Sequence, residues 1–334
     1  MEEGINVQKK FFNELKAKLP SNLSMANVVA DELGISIDSA YRRIRGESDL
    51  SLMEFDILTA KYHISTDAVL SKSFGSVNFD YRCINHENFG FESYFKSLTD
   101  EIRSLEQFGL KEIIYCALDL PVFYYFTFPK LAAFKIFFWK RNVFNYPEMA
   151  NQQLNLELIS AGDFEISHNL LKSYLSVPTI EIWSEETLNS TLRQINYYNE
   201  MGMFETKQDA LDILEDLRKV VEHIQYQAEY GYKFYPETDS PVNGKIDNFK
   251  IYHNEITLSE NVILLKLENF NVVHLGHNVL NVLTTHNQNF YEDSINFIEK
   301  VIKNSTQISI SAEKERKRFF NILYHKIDAL IANL

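Results

Sequence analysis

The chain is 334 residues long, 45% hydrophobic and 24% charged, with 11 glycines and 7 prolines, a balance that excludes a disordered or fibrous polymer and suits two or three globular domains. Its formal net charge of −13 argues against a protein that coats nucleic acid or anionic membrane over its whole surface. No run of about 18 uninterrupted apolar residues is present; the most apolar stretch, Phe123 to Val143, is broken by Pro129, Lys130, Lys135, Lys140 and Arg141.

Glu2 and Glu3 open the chain without a signal-type apolar core, so a cytoplasmic protein with no membrane partner is expected. Phe11, Phe12, Leu15 and Leu19 mark a first amphipathic helix. A second starts near Met25 with Val29, Ala30 and Leu33 on its apolar face, and Gly34 follows where helices commonly end in the left-handed conformation. Ser36 is placed to cap a third helix, in which Ile37, Ala40 and Ile44 recur at spacings of three and four and should face inward. By subtraction Ser36, Asp38, Ser39, Arg42 and Arg43 face outward, and short hydrogen-bonding groups beside guanidinium forks suit base edges and phosphates. Leu52, Phe55, Leu58 and Tyr62 mark a later helix, so that five short helices would bury the inner face of the turn.

Through Val29-Ala30, Leu33-Gly34-Ile35-Ser36, Arg42, the Gly46 turn, Leu52, Leu58 and Ile64-Ser65-Thr66-Asp67, residues 8–71 resemble the lambda-repressor-like (Cro/CI or XRE-type) helix-turn-helix DNA-binding domain. The resemblance implies that the third helix enters the major groove of double-stranded DNA. The residues expected to bind DNA are Ser24, Asn27, Ser36, Asp38, Ser39, Arg42, Arg43 and Arg45, with Arg42 and Arg43 leading. Ser24 and Asn27 stand at the start of the second helix, where free N–H groups and the positive dipole end favour phosphate. Many members of the family carry isoleucine immediately after the position of Arg42. Here Arg43 stands there and Ile44 takes the apolar role, which implies a slightly rotated helix and leaves open which of Arg42, Arg43 and Arg45 reaches a base.

Charge gives only modest support. Residues 1–75 hold nine Lys or Arg against eleven Asp or Glu, a net of −2, so affinity should be modest and salt-sensitive. One small unit binds weakly, and a two-fold homodimer reading paired half-sites is expected. The plain alternative is a helical hairpin whose arginines are merely solvated.

Ser71 to Asn78 is small and polar, which divides the chain into a DNA-binding domain at 1–71, a linker at 72–90 and an effector and oligomerisation domain at 91–334, with a subdivision expected near 235–248. Phe91 to Phe108 reads as a helix ending at Gly109, Lys111 to Leu118 as a buried strand, and Pro129 to Asn142 as a central core helix. Ile180 to Trp183 reads as a short strand, followed by helices from Glu185 to Met201 and from Thr206 to Tyr230. The second is capped by Thr206 with Asp209 and ended by Gly231. Its seam of Ala210, Leu214, Leu217, Val221, Ile224 and Ala228 is shorter than three to four heptads, which favours packing within the chain over a dimerisation helix. Phe249 to Tyr252, Ile256 to Leu258, Val262 to Leu267 and Val272 to Leu275 read as antiparallel strands, and Tyr291 to Asn304 and Ala312 to Ile331 as closing helices.

No local motif announces chemistry, and no enzyme is expected. His274 and His277, with His286 nine residues on, are the only histidine grouping worth weighing as a metal site, but residues three apart diverge on a strand. Carboxylates are unpaired by any recognisable motif, and Cys83 and Cys116 read as free thiols in a reducing compartment. Arg316-Lys317-Arg318 reads as a solvated helix face rather than a phosphate site, and Phe123 to Phe128 as core rather than a ligand pocket. The expected fold class is mainly α: a five-helix lambda-repressor-like domain plus a larger helix-rich α+β effector domain with a small antiparallel sheet near 248–276. The expected function is sequence-specific, DNA-binding transcription regulation without a cofactor, its C-terminal domain dimerising and sensing a small-molecule or protein effector. The alternative is a protein-interaction module or an enzyme carrying an accessory helix-turn-helix.

Overall fold

The computed structural model describes residues 7–20, 23–62, 64, 66, 69, 77–155, 158–236, 238, 240–242, 246–256, 260–268 and 270–334, and helices of its N-terminal unit lie among them. They are α1 (Val7–Lys18), α2 (Met25–Leu33), α3 (Ile37–Arg45) and α4 (Leu52–Tyr62). Phe11, Phe12 and Leu15 of α1 meet Val29 and Ala30 of α2, Ala40 of α3 and Leu58 of α4 in one buried cluster. The Phe11 and Phe55 rings lie 4.9 Å apart. Gly34 (φ 63°) and Gly46 (φ 76°) end α2 and α3 in the left-handed conformation, which a side chain would strain. Most of the expected fifth helix, the first two glutamates and most of the 71–78 linker lie outside the described residues.

From Phe91 onward, helices α5 (Phe91–Ser104), α6 (Pro129–Asn142), α7 (Ala161–Leu175), α8 (Asn189–Glu200), α9 (Lys207–Tyr230), α10 (Gln288–Lys303) and α11 (Glu313–Asn333) enclose a single sheet. Its strands are β1 (Lys111–Ala117), β2 (Thr179–Trp183), β3 (Phe249–His253), β4 (Val262–Leu267), β5 (Asn271–His277), β6 (Asn281–Thr285) and β7 (Thr306–Gln307), in the spatial order β6-β5-β4-β1-β2-β3-β7. β1, β2 and β3 run parallel, with Ile114 opposite Ile180 and Ile180 opposite Lys250, while β4 to β6 and β7 add antiparallel wings. α6 and α7 bridge β1 to β2, and α8 and α9 bridge β2 to β3, as parallel pairing requires.

Strand alternation gives the sheet two apolar faces. Ile113, Tyr115, Ala117, Trp183, Phe249, Ile251, Leu265 and Leu267 pack into the main core with residues of α5 to α9 and α11. Ile114, Cys116, Ile182, Leu264 and Val273 form the opposite face, covered by Tyr291 and Ile298 of α10. The fold is therefore α/β, built on a seven-stranded mixed sheet, and not mainly α with a small antiparallel sheet near 248–276. β1 and β2 are legible as strands in the sequence, but their parallel partners lie more than sixty residues away, beyond the reach of any periodicity. Among the described residues no helix is long and apolar enough to cross a membrane.

All six residues of the α9 seam are buried, and α9 packs against α6 and α11 of the same chain. Thr206 and Asp209 form the reciprocal capping box, and Gly231 (φ 75°) closes the helix. Arg316 departs from the expectation of a solvated basic face. It is buried and donates to the carbonyls of Ile308 (3.1 Å) and Ser311 (2.9 Å), so it pins the loop preceding α11. His274 is buried beside Thr284 (2.8 Å) and Glu101 (3.3 Å), whereas His277 meets Tyr81 and His286 meets Phe270. The three rings are thus occupied by different neighbours. The expected strand at 256–258 falls largely outside the described residues, as does much of the 235–248 boundary.

The main core also holds charge. Glu181 of β2 is fully buried and accepts hydrogen bonds from Tyr124 and Tyr174 (both 2.7 Å) and from the Trp183 indole (2.9 Å). Burial raises its pKa above the ordinary carboxylate value, opposed by these donors and by the nearby Lys233 ammonium. Lys233 is itself buried and donates to the Tyr174 carbonyl at 2.8 Å.

Candidate nucleic-acid interface

α2 and α3 are joined by the tight turn at Gly34, and Ser36 caps α3 by accepting from the Ser39 amide at 3.2 Å. The same Ser36 hydroxyl donates to the Ser39 hydroxyl at 2.9 Å. The far end of α3 is held from α1. The Gln8 amide donates to the carbonyls of Arg43 (2.7 Å) and Ser48 (2.8 Å) and accepts from the Leu50 amide (2.9 Å). One side chain thus satisfies backbone groups on both sides of the α3–α4 turn.

The rotation of α3 differs from the simplest reading of its apolar row. Ile37 is 51% exposed, while Ala40 is buried and Arg43 and Ile44 are half-buried. The solvent-facing stripe is Ile37, Asp38, Tyr41, Arg42 and Arg45, at the spacing of one helix face. Tyr41, 47% exposed, was not singled out from the sequence, although its place four residues from both Ile37 and Arg45 is the signal that finds it. Ile37 left the inner row because α3 turns Arg43 toward α4.

The three arginines therefore stand in three situations. Arg43 is folded back: one guanidinium nitrogen lies 2.7 Å from the Glu54 carboxylate and another donates to the Ser39 carbonyl at 3.3 Å. Arg45 is exposed and paired with Glu47 at 2.8 Å. Arg42 is exposed and, among the described residues, its guanidinium has neither an ion pair nor a hydrogen bond. Burial raises the Glu54 pKa, but the bonds from Arg43 and Ser51 outweigh it and hold the carboxyl below its ordinary value.

The remaining expected residues are split between open and committed positions. Ser24 and Asn27 are exposed at the start of α2, and the Ser24 side chain makes no cap bond to the first amides of that helix. Asp38 is exposed in the first turn of α3, where it favours the helix dipole but opposes an approaching phosphate. Of the α1 cations, Lys9 and Lys16 are exposed, whereas Lys18 packs over the Phe270 ring at 4.7 Å. Burial lowers the Lys18 ammonium to about 8, against the opposing charges of Glu14 and Asp80. The surface can thus offer a guanidinium fork, a phenol and short hydroxyls along one helix face, with a helix N-terminus beside them. In comparisons with protein-family models, curated proteins and solved structures, nothing matches this chain.

Proposed function

We propose that this chain is a sequence-specific, DNA-binding transcription regulator that presents the outer face of α3 to the major groove. The observation that carries the reading is the pair α2 and α3, joined at Gly34, with an unpaired Arg42 beside Tyr41 and Asp38 on the exposed face. A guanidinium free of protein partners can reach guanine or phosphate without breaking an existing ion pair. The exposed start of α2 supplies amides for a backbone phosphate. The region beyond residue 90 is assigned to dimerisation and effector sensing, because its net charge of about −11 from residue 76 onward opposes DNA. A homodimer supplies the second half-site that one weakly charged unit needs.

The test is selection of genomic fragments by the purified full chain, then binding of the recovered site by wild type and Arg42→Ala across a salt series. Enrichment of an inverted repeat, lost in the variant, supports the reading. Absence of enrichment over non-specific DNA overturns it.

A second reading is favoured by one observation. Leu52 and Met53 are 87% and 76% exposed, and Ile37, Tyr41 and Ile57 are exposed on the same small unit. An apolar surface of this kind suits a protein partner in place of DNA. Retention of a protein by the immobilised chain, abolished by Leu52→Ser/Met53→Ser but unaffected by Arg42→Ala, would favour that reading.

A further inference from the structure

A cavity of about 530 Å³ opens beyond the carboxyl end of β1. Leu118 and Asp119 form one wall, Phe138 of α6 another, and Asn189, Ser190, Arg193, Gln194 and Tyr197 line it from α8, with Glu186 at the rim. Positions 189, 190, 193, 194 and 197 share one helix face. The ends of parallel strands are where open α/β sheets place their ligands, and the volume is that of a small-molecule site.

The wall is firmly built. The Asn261 side chain accepts from the amides of both Leu118 (2.9 Å) and Asp119 (3.3 Å), fixing the loop that carries the Asp119 carboxylate. Beneath the cavity, Lys135 is 2% exposed; its ammonium donates to Thr191 (2.9 Å) and Gln194 (2.8 Å) and sits 3.9 Å from the centre of the Tyr125 ring. These bonds hold the lining face of α8 against α6. Asp119, which interacts with Ser190 and with the Lys135 charge, has no ion-pair partner among the described residues. Arg193 is exposed at the cavity and, among the described residues, its guanidinium is neither ion-paired nor hydrogen-bonded. Glu186, by contrast, already accepts from Asn189 and lies 4.0 Å from Lys326.

A carboxylate and a guanidinium thus line one cavity without pairing with each other, beside an aromatic surface made by Phe138 and Tyr197. Two carboxylates disfavour a phosphate ester, and an uncharged sugar would leave both opposite charges unmatched. We propose that this cavity binds a small zwitterion, an α-amino acid or a short peptide, with its ammonium at Asp119, its carboxylate at Arg193 and an apolar side chain against Phe138 and Tyr197. A guanidinium fork matches a carboxylate in two parallel bonds, and the aromatic walls select against small polar side chains.

The experiment is calorimetric titration of the full chain with the common α-amino acids and with dipeptides of apolar residues; the two sets distinguish a free amino acid from a peptide. N-acetyl-phenylalanine, which lacks the ammonium, and phenylalaninamide, which lacks the carboxylate, serve as controls. A zwitterion with an apolar side chain should bind with a dissociation constant below about 1 mM. Each control should bind about 10-fold more weakly or worse. Arg193→Met should weaken the zwitterion about 10-fold and leave phenylalaninamide unchanged, whereas Asp119→Asn should weaken the zwitterion and leave N-acetyl-phenylalanine unchanged. Should Asp119→Asn fail to fold because Lys135 loses its neighbouring charge, the surface variant Arg193→Met decides alone. The proposal is overturned if no zwitterion of either set binds below about 1 mM, or if binding is indifferent to Arg193→Met. No arm of this test depends on DNA.

Discussion

The guanidinium of Arg43 lies 2.7 Å from the carboxylate of Glu54, and the two side chains are only 19% and 17% exposed. The middle arginine of α3 is therefore a tie between α3 and α4, while its neighbour Arg42 is left free. Removing the two should have different effects. Arg42→Ala should weaken DNA binding and reduce the slope of log affinity against log salt by about 0.9 if it meets a phosphate, or cost about 1 to 3 kcal/mol at one base pair if it meets guanine. Arg43→Ala should chiefly lower the stability of the N-terminal unit by about 1 to 3 kcal/mol, because it leaves Glu54 unpaired. Filter binding and urea denaturation separate the two; a larger loss of DNA affinity in Arg43→Ala than in Arg42→Ala would contradict the assignment. Glu54 titrates below its ordinary value in the folded chain, so its stabilising contribution is full at neutral pH and is lost on acidification through that lowered value.

Gln8 makes three hydrogen bonds to the backbone around the α3–α4 turn, and no apolar residue can replace them. Gln8→Leu should therefore destabilise the N-terminal unit by about 2 kcal/mol through its orphaned carbonyls and amide. Hydrogen exchange at the Leu50 amide is the direct check, since protection there should fall more than in the body of α1.

Burial lowers the Lys135 ammonium from its ordinary 10.5 to about 7, although the Asp119 charge opposes the shift. Between those two values the unfolded chain holds a proton that the folded chain has released. Stability should accordingly rise as pH increases from about 7 toward 10.5, with the full penalty present below about 7. In Lys135→Met that rise should flatten, whatever the absolute stability of the variant. Urea midpoints measured across this pH range give the comparison; an unchanged slope would refute the buried-amine explanation.

Cys116 lies in the sheet face beneath α10, and burial pushes its thiol up to about 12, while Cys83 is exposed. A maleimide should label Cys83 alone in the native chain and both cysteines in denaturant, because the thiolate is the reactive form. Native labelling of Cys116 would show that α10 opens readily from the sheet.

The features legible in the amino-acid sequence are local: the caps of α3 and α9 at Ser36 and Thr206, the glycine stops at 34, 46 and 231, the inward seam of α9 and the existence of β1 and β2. Each follows from backbone conformation or side-chain periodicity within a few turns of chain. The remaining features arise from contacts between segments far apart in the chain. Parallel pairing among β1, β2 and β3 joins segments separated by whole helical crossovers, so strand pattern could announce the strands and not the sheet. The direction of Arg43 depends on Glu54 eleven positions away, and with it the exposure of Ile37 and Tyr41. The cavity at Asp119 is assembled from a strand end and two helices that carry no shared motif, and the burial that perturbs Lys135 exists only once those elements have packed.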